Sequence, residues 1–73
     1  MEVATARHAV NAAALSRDRL ALVEAAASLP ATIAFSYERH RARAYANALG
    51  GSGAAALAEL NLAAVSPLKP AIS

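Results

Sequence analysis

The chain has 73 residues, 23 of them alanine, with one Phe, two Tyr and neither Trp nor Cys. A chain of this length makes one domain at most, and without Cys it can support a small core with neither a disulfide nor a thiolate metal site. Six Arg and one Lys against five acidic residues give a formal charge of +2, too small an excess to mark a nucleic-acid-binding protein by itself.

Alanine loses no side-chain entropy on ordering and buries no polar group, so the composition predicts helices. It also predicts a thin core, because the bulkier apolar residues are nine Leu, four Val, two Ile, Met1, Phe35, Tyr37 and Tyr45. Association with a second copy or with another protein is the expected support. No run reads as a membrane span: Ala44–Ala58 is interrupted by glycines and Ala25–Tyr37 by Pro30, where about 20 mostly apolar residues are needed. Glu2 stands where a secretory signal carries positive charge, and Asp18 and Glu24 flank or interrupt the apolar stretch, so a cytoplasmic location is expected.

The first helix is predicted from about Val3 to Ala27. It carries Leu15, Leu22 and Leu29 at seven-residue spacing, a narrow seam with His8, Ala12 and Ala26 on the same side. Pro30 ends this segment, since proline lacks an amide donor and pushes Leu29 out of the helical region, yet it suits the start of a new helix.

The second helix is predicted from about Ala31 to Leu49 and has two apolar faces, one with Ile33, Tyr37, His40, Ala44 and Ala48, the other with Phe35, Ala42, Ala46 and Leu49. Such a helix requires two neighbours. Tyr37, Arg41 and Tyr45 follow at i, i+4 spacing, which sets a guanidinium between two rings, and Glu38 can pair with Arg41 one turn on. Gly50-Gly51-Ser52-Gly53 ends the helix, with Gly50 expected in the left-handed conformation and Ser52 expected to cap the next helix. That third helix is predicted from about Ala54 to Val65.

The fold expected is therefore all-α: an antiparallel helical hairpin with a shorter third helix, a small or open bundle completed by association. Residues 1–66 form its single domain, and 67–73 a Pro-containing flexible tail whose Pro67-Leu68-Lys69-Pro70 matches P-x-x-P spacing.

Catalytic material is sparse. Two His, one Asp and four Glu are scattered, with no His pair at metal spacing, no phosphate loop and no Ser-His-Asp grouping. No enzyme activity, cofactor or metal is expected, and both His read as structural. The function expected is a protein–protein interaction module, an adaptor, chaperone-like cofactor or regulator. Tyr37, Arg39, Arg41, Arg43 and Tyr45 are its candidate partner-binding residues, because Tyr and Arg are enriched at the energetic centres of interfaces. Leu15, Leu22, Leu29, Phe35 and Leu49 are its candidate association face. Two other readings stand beside it. A self-assembling helical subunit would rely on Leu15, Leu22, Phe35 and Leu49. A small basic nucleic-acid-binding regulator would use Arg17, Arg19, Arg39, Arg41 and Arg43, which an antiparallel hairpin turning near Pro30 brings alongside one another.

Overall fold

The computed structural model describes residues 2–66, so the expected tail and its P-x-x-P spacing lie outside the described residues. The described residues form four α-helices: α1 Val3–Leu15, α2 Arg19–Ser28, α3 Ser36–Leu49 and α4 Gly53–Ala64, with a 3₁₀ turn Ile33–Phe35 leading into α3. Among the described residues there is no strand, and no helix is long and apolar enough to cross a membrane.

The predicted first helix is divided in two. At its break Arg17 has φ +53, its amide donates to Ala14 O at 3.1 Å, and the Asp18 amide donates to Ala13 O at 3.0 Å. This pair of bonds is the Schellman closure of a helix C-terminus, with arginine at the left-handed position that glycine usually fills. Asp18 then starts α2, its Oδ1 accepting from the Ala21 amide at 3.1 Å. The same closure ends α3, where Gly51 donates to Ala48 O at 3.2 Å and Ser52 to Asn47 O at 2.8 Å. There the left-handed residue is Gly51, φ +83, and not Gly50 as expected. Ser52 precedes α4 without a side-chain capping bond.

α3 lies at the centre and packs against each of the other three helices, whereas α4 touches α3 and no other helix. α2 runs antiparallel to α3, with Leu22 and Ala26 sharing a buried cluster with Ala42 and Ala46, and Val10 and Ala13 of α1 joining it. A second cluster joins Ala6 of α1 to Leu29 and Phe35. α4 is also antiparallel to α3: Ser36 meets Ser66 at 3.2 Å, and His40, one turn on, meets Glu59. The two-faced reading of α3 thus corresponds to a helix flanked by neighbours.

Bulk is distributed unusually. Among the described residues, eight of the twelve buried apolar ones are alanines, leaving Val10, Leu22, Leu29 and Phe35 as the large ones, and nine large apolar side chains are exposed: Leu15, Leu20, Val23, Ile33, Leu49, Leu57, Leu60, Leu62 and Val65. An alanine contact removes little area from water, but it lets helix backbones approach closely and gain dispersion contacts.

Candidate functional site

The segment Tyr37–Tyr45 makes the stacking expected of it, but faces inward. The Arg41 guanidinium carbon lies 5.9 Å from the Tyr37 ring centroid and 5.5 Å from that of Tyr45. Arg41 is buried, 8% exposed, and Glu38 beside it is 1% exposed. Glu38 Oε2 accepts from Arg7 Nε at 3.2 Å, and Glu38 Oε1 pairs with Arg41 Nη1 at 3.4 Å. Arg41 Nη2 also donates to Asn11 Oδ1. Arg7 and Asn11 stand one turn apart on α1, as Glu38 and Arg41 nearly do on α3, so the network ties these two helices in one parallel register. A buried charge without its partner is costly, and this mutual pairing is what makes the arrangement tolerable.

Arg41 is therefore unavailable as a surface anchor, which corrects the expected role. Arg39 is committed as well: its Nη1 donates to Pro30 O at 2.7 Å and Thr32 O at 2.9 Å, clamping the link into α3. Tyr37 and Tyr45 are half-buried against Arg41, and only Arg43 of the five is exposed. The expected association face is likewise divided. Leu22, Leu29 and Phe35 are core residues of the chain itself, while Leu15 and Leu49 are exposed.

Of the five arginines expected in one cluster, two line a common groove. Arg19 of α2 and Arg43 of α3 line an open groove of about 360 Å³ between α2 and α4, with the body of α3 beneath. Its apolar lining is Val23, Ala26 and Ala27 from α2 and Ala46 from α3; Asn47 and Glu59 complete it. Glu59 is occupied, its Oε2 accepting from His40 Nδ1 at 2.7 Å, which requires the imidazole proton on that nitrogen. Arg19 rests on the last turn of α3, where a Cβ built on Gly50 would fall 2.9 Å from its Nε. This sets the guanidinium at the negative end of the α3 dipole. Among the described residues Arg19 and Arg43 have no hydrogen-bond or ion-pair partner.

The second surface feature is the outward side of α4. Ala56 and Ala63 are buried against α3, with Glu59 between them turned to His40. Leu57, Leu62 and Val65 are exposed, with Leu60 at the edge of the contact. The only charged side chain of α4 is Glu59, so its solvent side is apolar apart from Asn61. Sequence patterning places α4 as an intramolecular neighbour and misses this side; the signal is a 12-residue helix with one charge, since a helix apolar all round is normally covered.

Among the described residues no group of three His, Asp or Glu could hold a metal ion. Compared with protein-family models, with curated proteins and with solved structures, the chain matches none.

Proposed function

We propose that this chain is a non-enzymatic protein–protein interaction module that works through its helix faces. The observation that carries the reading is the inversion of bulk: among the described residues four large apolar side chains are buried and nine are exposed, four of these on α4 and its end. Contiguous exposed apolar surface on a small protein marks an interaction site, and burying it against a partner supplies the free energy that an alanine-filled interior lacks. The face that serves is the outward side of α4, in place of the Leu22, Leu29 and Phe35 seam.

Self-assembly is the second reading, favoured by the absence of charge on that side, since two copies meeting there face no like-charge repulsion. The nucleic-acid reading is weaker, because Arg39 and Arg41 are engaged within the chain.

Sedimentation equilibrium with circular dichroism across a hundredfold dilution, on the wild type and on L57D/L62D, tests the proposal. Concentration-dependent mass that the double variant abolishes at unchanged helicity makes the partner a second copy. A wild-type monomer at every dilution, with photo-crosslinks to another protein from position 57 and none from exposed position 24, makes the partner heterologous. A monomer giving no crosslink from position 57 overturns the reading.

A further inference from the structure

The groove between α2 and α4 is a separate surface, and it differs in chemistry from the outward side of α4. It pairs an apolar lining, Val23, Ala26, Ala27 and Ala46, with two cations, Arg19 and Arg43, that no side chain of the described residues satisfies. We infer that this groove receives an acidic amphipathic helix of another protein, whose apolar side lies on the alanines while its carboxylates meet Arg19 and Arg43.

Shape favours a helix. Val23, Ala26 and Ala27 of α2 and Ala46 of α3 give the groove an open apolar strip along two packed helices, with Glu59 of α4 at its rim. A helix laid along that strip uses the groove mode of helix recognition, and the three alanines allow close approach of the incoming backbone.

Charge decides which helix. Guanidinium groups bind carboxylates through paired, charge-assisted hydrogen bonds, and against an apolar floor these are worth more than in open water. The groove's own carboxylate, Glu59, accepts from His40 through Oε2 and can offset only one of the two guanidinium charges, so the groove keeps an excess of positive charge. Nor can a second copy supply the complement. Its Glu38 is buried between Arg7 and Arg41, its Glu59 is engaged, and its Asp18 caps α2. Glu2 and Glu24 remain, and they lie in different parts of the chain, so no helix of this protein presents two free carboxylates.

The inference rests on the reading of the chain as an interaction module but uses another surface, so the two can fail separately. The probe is a fluorescein-labelled 16-residue peptide of Ala, Leu and Glu, with Glu at i, i+4 and i+7 along one flank, titrated with the full chain and followed by anisotropy. Loss of one charge-assisted contact is expected to weaken binding about tenfold, so R19Q and R43Q should each do so, and L57D/L62D should leave it unchanged. A peptide with Lys in place of Glu should not bind. Equal affinity for wild type and R19Q/R43Q overturns the inference, as does loss of binding only in L57D/L62D, which would assign the peptide to α4. Capture of a single-stranded oligonucleotide in preference to the acidic peptide overturns it in favour of nucleic acid.

Discussion

The contact of α1 with α3 and the contact of α4 with α3 differ in what specifies them. The first adds to the apolar cluster of Val10 and Ala13 a network of Arg7, Asn11, Glu38 and Arg41, four polar side chains whose geometry fits in one register. The second rests on Ala56 and Ala63 with a polar pair, His40–Glu59, at its margin. Charges specify a unique arrangement at little net gain in free energy, because desolvation offsets attraction. Alanines permit a close approach but specify little, since one methyl resembles another. A chain poor in bulky residues thus uses ionic contacts to choose its fold, and keeps most of its leucines outside.

The largest effect should come from breaking the ionic side. Glu38→Ala leaves Arg41 buried and uncompensated, a loss of about 3–5 kcal/mol, which is about the whole stability of a domain this small. Circular dichroism should show the variant largely unfolded at 25 °C, and a wild-type melting temperature would refute the role given to the network. Replacing the pair together, E38L with R41L, should restore much of the loss, because Arg7 is partly exposed and can turn to water. On the alanine side, Ala63→Leu overfills a contact that is 3% exposed and should cost about 1–3 kcal/mol, read as a lower urea midpoint. If the midpoint is unchanged, α4 is not tightly apposed to α3. Smallest of the three, Leu57→Ser on the outward side should shift monomer stability by no more than about 0.5 kcal/mol. A large drop in dilute urea melts would mean that Leu57 is packed after all.

The helical class, the break at Pro30 and the end of α3 were legible because alanine, proline and glycine act through local backbone chemistry. The stacking of Arg41 between Tyr37 and Tyr45 was equally so, since i, i+4 spacing on one helix places them together. Its burial was not, because that depends on Arg7 and Asn11 arriving from α1. The break at Ser16–Asp18 escaped for a local reason: arginine, not glycine, occupies the left-handed position, and Asp18 reads as a cap only once the preceding helix is known to stop. That break also explains the divided leucine seam. Seven-residue spacing keeps side chains on one face only along one axis, and Leu15 closes α1 while Leu22 belongs to α2. Leu15 is accordingly 86% exposed and Leu22 fully buried. Arg19 and Arg43 line one groove, whereas Arg39 is withdrawn by the carbonyls of Pro30 and Thr32 in the preceding link, and Arg41 by Asn11 arriving from α1.

α4 packs on α3 and on no other helix of the described residues, so what fixes it runs through one seam that includes Ala56, Ala63 and the His40–Glu59 pair. That seam is the most extensive contact between two helices of the described residues. Opening α4 would have to break it as a unit, so the amides of α4 should exchange with solvent together with those of α3.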